Sequence, residues 1–271
     1  MLKQISLGRY YPGDSLLHRL DPRVKIVISL FYMILVFLVQ SAIPMAVLGL
    51  LTLALVLLSR VPLRQILNSL KPILFILVFA FVINLVTVQG DTWMEIGPLK
   101  ITDQGVYTAL RMAARLILLI VSTTLFLTLT TTPILVADAL ESLLNPLRRI
   151  GFPVHEMAMM MSIALRFVPT LLEETDKIMK AQSSRGADYD TGGLIAKARG
   201  LVSVLIPLFV SAFKRAEDLA VAMEARCYRG GEGRTRLKVM RFKRSDLLFS
   251  LLMVVLTAGI LVLQHFIEFG P

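Results

Sequence analysis

Cysteine is nearly absent: Cys227 is the only one among 271 residues, which excludes an intramolecular disulfide framework and any metal site built on several thiolates. Histidine is scarce too, with only His18, His155 and His265. The run His155-Glu156-Met157-Ala158-Met159 opens like an H-E-x-x-H zinc signature but has Met159 where the second ligand belongs. Neither a Walker A sequence nor G-x-S-x-G occurs, which excludes a self-contained P-loop ATPase and leaves serine-hydrolase chemistry unsupported. Asp188 and Asp190 lie in a glycine-rich connector and read as a solvated loop rather than paired catalytic carboxylates. No catalytic residue, resident metal or bound cofactor is therefore expected. Charge is short as well, at 18% of residues against about 25% in ordinary soluble chains.

What the chain has is apolar surface and basic charge. Hydrophobic residues make up 56% and the mean hydropathy is +0.72, which excludes disorder. The 29 Lys and Arg outnumber 19 Asp and Glu, for a net charge of +10. Apolar runs do not build basic grooves, so no nucleic-acid partner is expected. A lipid bilayer is the expected environment, with the basic residues segregated to one side.

A helix crosses the hydrocarbon core with about 20 apolar residues. Residues 26–59 contain no charge, and the group Gln40-Ser41-Ala42-Ile43-Pro44 divides them into two spans. Further spans are predicted over residues 73–88, 106–131 and 247–267. The first run follows a polar stretch and lacks a small-residue cleavage site, so it reads as a retained span rather than a signal peptide. The fold class is all-α: a polytopic membrane protein with about five transmembrane helices and long cytoplasmic helices. Residues 1–132 form an N-terminal arm and four spans, residues 133–245 a cytoplasmic helical domain, and residues 246–271 the final span. Lys and Arg crowd the arm, the 60–71 loop and the 133–245 segment, whereas the 91–103 loop is acidic. By the positive-inside rule the N-terminus is cytoplasmic and the C-terminus outside.

The 133–245 segment repeats a plan. Residues 155–184 and 195–226 each read as a long helix with an apolar beginning and a charged end, and each holds one proline, Pro169 or Pro207. A proline there kinks a helix or starts a new one, which makes both candidate hinges. The apolar parts, residues 157–165 and 200–213, read as docked beneath the membrane domain, with short re-entrant spans as the alternative. On the fourth span, Arg111 and Arg115 share one helical face; snorkelling to the interface and an intramembrane ion pair both remain open.

Each long helix also ends alike: Ser184-Arg185-Gly186 in the first, Ala225-Arg226-Cys227 in the second. Small residues flanking an arginine let a partner's backbone approach while the guanidinium forks onto carboxylates or carbonyls. Two such ends suit two similar partner subunits.

These tips, with His18-Arg19-Leu20-Asp21-Pro22-Arg23-Val24-Lys25, Pro146-Leu147-Arg148-Arg149-Ile150-Gly151-Phe152-Pro153 and Leu165-Arg166-Phe167-Val168-Pro169-Thr170, resemble the transmembrane T component of energy-coupling factor (ECF) transporters, the EcfT and CbiQ-like family of modular ABC-type importers. The resemblance covers nearly the whole chain. It implies a non-catalytic scaffold in a bacterial or archaeal cell membrane, serving vitamin or transition-metal uptake. It further implies two ATPase partner subunits, which bind the ATP and magnesium, and a membrane-embedded substrate-binding S component. Ser184, Arg185 and Gly186 then match the first coupling motif, and Ala225, Arg226 and Cys227 the second. Ser184 stands where the family usually has Ala, and Cys227 where it has Gly or Ser. The rival readings are a self-sufficient secondary transporter, which should show an inverted repeat, and a membrane-embedded enzyme, which needs convergent titratable groups on its spans.

Overall fold

The computed structural model describes residues 10–90, 92–96, 99–186, 193–230, 240 and 242–269. Asp188, Asp190 and most of the basic run at 234–244 lie outside the described residues. The order is α1 (Leu16–Arg19), α2 (Pro22–Leu38), α3 (Ala42–Ser59), α4 (Leu63–Leu70) and α5 (Leu74–Thr87), then strands β1 (Thr92–Ile96) and β2 (Leu99–Thr102). After them come α6 (Asp103–Thr123), α7 (Pro133–Leu144), α8 (Val154–Ser183), α9 (Leu194–Ala225) and α10 (Arg244–Phe269). The described residues form two compact units, one within residues 8–139 and 239–271 and the other within residues 140–238.

The first unit holds every expected span as a helix. Among the described residues four helical stretches are long and apolar enough to cross a membrane: Ala42–Ser59, Leu63–Thr87, Asp103–Leu129 and Arg244–Ile267. The fifth, α2, has 17 residues, about 25 Å of helix, at the short end for a crossing. Two loops differ from expectation. The 60–71 stretch is not open loop but the amphipathic α4, whose Leu63, Ile66, Leu67 and Leu70 follow helical spacing, and a 3₁₀ turn joins it to α5. The 91–103 loop carries the antiparallel β1–β2 pair, with Glu95 opposite Lys100 and Ile96 opposite Leu99.

The core of this unit is a stripe of α2 packed on the end of α6. Val24, Ile28, Tyr32, Leu35, Val36 and Val39 recur at three- and four-residue steps and are buried with Leu118, Val121, Leu125 and Phe126. The Tyr32 hydroxyl shares a hydrogen bond with Thr52 of α3, because a phenol cannot be buried in apolar surroundings without a partner at small cost. Beyond Thr123 the α6 helix continues as a π-helix over Thr124–Leu129, and its final carbonyls need donors. Tyr11 N–H donates to Leu129 O at 3.0 Å, and Lys25 Nζ donates to Thr130 O at 2.8 Å and Thr131 Oγ1 at 3.2 Å.

The same knot explains the polar N-terminal motif. His18 Nε2 meets Tyr11 O at 2.9 Å and its Nδ1 meets Ser15 Oγ at 2.7 Å. Asp21 accepts from Arg23 N–H to start α2. Fully buried Asp246 accepts from Asp21 N–H at 3.1 Å and from Lys243 N–H at 2.8 Å, which ties the start of α10 to the start of α2.

The second unit is built on α8 and α9, 30 and 32 residues long. Both run unbroken through their prolines, so neither Pro169 nor Pro207 begins a new helix. Neither α8 nor α9 is among the four stretches apolar enough to cross a membrane.

Candidate functional site

The two arginine tips share a backbone form. Gly186, after Arg185, has φ +86°, and Cys227, after Arg226, has φ +57°. Both are left-handed, the conformation with which a helix commonly closes. In α9 the closure is complete: Cys227 N–H donates to Glu224 O at 2.8 Å and Tyr228 N–H to Met223 O at 3.0 Å. In α8, Gly186 N–H makes the matching inner bond to Ser183 O at 3.0 Å. Ser184, Arg185, Gly186, Ala225, Arg226 and Cys227 are all exposed. Among the described residues neither motif arginine pairs with a carboxylate. Each guanidinium thus stands at the negative end of a helix dipole, where a cation is favoured.

A polar clasp joins the two helices behind the tips. Glu174 of α8 accepts from the Ser211 hydroxyl and, at 2.8 Å, from Arg215 Nη2 of α9. The Ser211 hydrogen bond chiefly, with Arg215 adding to it, holds the Glu174 carboxyl below its usual range against the opposing effect of burial. Apolar side chains line a cavity of about 220 Å³ beside the clasp, including Phe167 and Leu171 of α8 and Leu219 of α9. Pro169 and Pro207 lie N-terminal to the clasp residues of their helices.

Toward the beginning of α9 the surface changes character. Leu201, Val202, Leu205, Ile206, Phe209, Val210 and Phe213 are all exposed, and their spacing of three and four residues makes one continuous apolar stripe. On α8, Met157, Met160 and Met161 are exposed likewise. His155 Nδ1 lies 3.0 Å from Glu141 Oε1 of α7. Among the described residues no cluster of His, Cys, Asp or Glu could hold a metal ion.

Among the described residues Arg111 and Arg115 make no ion pair, and both donate to backbone carbonyls. Arg111 Nη1 donates to Gln40 O at 3.1 Å and Arg115 Nη2 to Val39 O at 2.8 Å, while Gln264 Nε2 of α10 donates to Leu38 O at 3.1 Å. Three successive carbonyls at the α2–α3 turn therefore have side-chain donors. No acidic partner is required, because the helix C-terminus supplies the negative end.

Comparison with known proteins gives one answer. Residues 13–237 match the CbiQ family, described as cobalt transport protein. The chain is 52% identical over 265 residues to the energy-coupling factor transporter transmembrane protein EcfT of Ruminiclostridium cellulolyticum, covering 98% of this chain and 99% of that one. It is 48% identical over 271 residues to the protein of the same name from Acidaminococcus fermentans, covering 100% and 99%. For that of Bacillus subtilis the identity is 47% over 265 residues, covering 97% and 100%.

Proposed function

The chain belongs to the family of CbiQ and EcfT transmembrane transport proteins, and on that premise we propose that it couples ATP hydrolysis by two partner ATPase subunits to uptake through a separate S component. It is the transmembrane component of an energy-coupling factor transporter, an all-α polytopic membrane protein. Its own part is mechanical, and the ATP, magnesium and hydrolysis belong to the ATPase partners. Ser184-Arg185-Gly186 enters one ATPase subunit and Ala225-Arg226-Cys227 the other. The 133–245 segment faces the cytoplasm with the N-terminal arm, the C-terminus lies outside, and residues 1–132 and 246–271 supply the spans.

The observation that carries this reading is the duplicated tip. Two helices of about 30 residues end in an exposed arginine followed by a left-handed residue, the same geometry offered twice to two similar sockets. A short backbone turn behind the guanidinium keeps the tip narrow enough to enter a groove. The clasp makes α8 and α9 move as one body, so a push on either tip is felt by the other. Pro169 and Pro207 each leave one helix carbonyl without its usual N–H partner, which favours bending there and makes them hinges between tip and apolar base. The α9 stripe from Leu201 to Phe213 gives the S component an apolar surface, and the exposed methionines of α8 suit a partner that changes.

Co-purification tests this proposal. The chain expressed with its chromosomal neighbours should bring down two ATPase copies and one S component in fixed ratio, and alone should move no substrate. Uptake by the isolated chain in liposomes would contradict it and favour a self-sufficient transporter.

A further inference from the structure

The membrane-spanning unit contains a trough that the coupling role leaves unused. It runs between α3 and α6, encloses about 420 Å³, and is walled by Ala42, Met45, Ala46, Gly49, Ala114 and Leu118. Small residues on spanning helices ordinarily mark close helix packing. Here they do not: a Cβ built on Gly49 would meet no atom within 4 Å. The depth is open space, within the range typical of small-molecule sites.

At the end nearest the α2–α3 turn the trough opens into a second cavity of about 440 Å³ that shares Ala42, Tyr107 and Arg111 with it and adds Gln40 and Ser41. The combined cleft is carbon along its length and polar at one end. Among the described residues no carboxylate lines either cavity. Arg111 uses Nη1 on Gln40 O at 3.1 Å and lies 5.4 Å from the Tyr107 ring centroid. A guanidinium has five N–H donors, so several remain for an anion.

Depth agrees with that polarity. Arg111 donates to Gln40 O in the turn that joins the spans α2 and α3, and a turn between two spans lies at a membrane surface, so Arg111 sits near the boundary between acyl chains and head groups. The trough from Arg111 toward Leu118 descends on the hydrocarbon side.

We propose that this cleft binds a phospholipid, its phosphate diester on Arg111 and one acyl chain in the trough between α3 and α6. Charge complementarity selects this occupant. A fixed cation at head-group level, with no opposing acid among the described residues, meets the one anion that every phospholipid carries there, and the apolar trough begins where the acyl chain begins. The bound phosphate also leaves undisturbed the Arg111 bond that caps the α2–α3 turn.

Native mass spectrometry of the 271-residue chain in detergent tests this, with phosphatidylglycerol and diacylglycerol added separately. The wild type is expected to retain phosphatidylglycerol at least fivefold better than diacylglycerol. Gly49→Leu fills the trough without touching Arg111, and should cut retention of phosphatidylglycerol at least fivefold with the helical circular dichroism unchanged; Ala46→Leu serves if Gly49→Leu misfolds. Arg111→Gln should remove the preference between the two lipids. Wild-type retention of phosphatidylglycerol by a folded Gly49→Leu chain overturns the site. Equal retention of both lipids by the wild type overturns the phosphate assignment. Loss of a protein partner from Gly49→Leu, with lipid retention unchanged, overturns the proposal in favour of a protein seat.

Discussion

Glu174 and Arg215 pair across α8 and α9 at 2.8 Å, and each lies eleven residues before a motif arginine, from 174 to 185 and from 215 to 226. Eleven residues is about three helical turns and about 16 Å. Each tip therefore stands the same distance beyond the clasp and on nearly the same helical side as the clasp residue. Two equal arms from one fastening suit two similar sockets better than two unrelated helix ends would.

The clasp should respond to acid in a definite direction. The Glu174 carboxyl is held below its usual range in the folded chain, first by Ser211 and then by Arg215. Its contribution is present above the ordinary carboxylate value, about 4.3, and is lost as pH falls through the lower folded value. Spin labels near the ends of α8 and α9 should report one narrow distance distribution at pH 6 that broadens only in acid, below the ordinary carboxylate range. In Glu174→Gln the distribution should already be broad at pH 6 and insensitive to acid.

The two tips should answer oppositely to exchange of their left-handed residues. Cys227 holds φ +57°, which costs an L-residue about 1 kcal/mol that glycine does not incur. Cys227→Gly should slow amide exchange in the last turn of α9 by up to about fivefold. Gly186→Ala should speed exchange in the last turn of α8 by a similar factor. Its added methyl meets no atom within 4 Å, so that effect is conformational rather than steric.

Arg115 should matter to stability. Arg115→Leu leaves the Val39 carbonyl without its 2.8 Å donor, a loss of about 1–3 kcal/mol for a buried acceptor. Arg115→Lys can still reach a carbonyl with a cation and should recover part of it. Unfolding of the purified chain in detergent should rank wild type above Lys above Leu.

Much of this architecture was legible in the sequence because it is local. The 30-residue α8 begins and ends within one residue of its expected limits, since apolar spacing, an absence of glycine and the Arg185-Gly186 ending are all contiguous signals. The amphipathic α4 was legible too, in Leu63, Ile66, Leu67 and Leu70, but three basic residues in the stretch read as loop. What the sequence could not show were contacts to backbone. Arg115 reaches a carbonyl 76 positions away and Lys25 one 105 positions away, and a carbonyl leaves no mark in the residue type that carries it. The clasp was hidden for a related reason: Glu174 and Arg215 each sit in a charged stretch where many pairings are open. The tips were visible because the chain spells them twice.

The most direct test of the coupling account is the Arg185→Glu/Arg226→Glu double variant in the assembled transporter, measured for bound ATPase subunits and for substrate uptake driven by ATP. The expected result is a loss of ATPase association, or retained hydrolysis with uptake reduced at least tenfold, while the chain still inserts and folds. Wild-type uptake with both charges reversed would contradict the account.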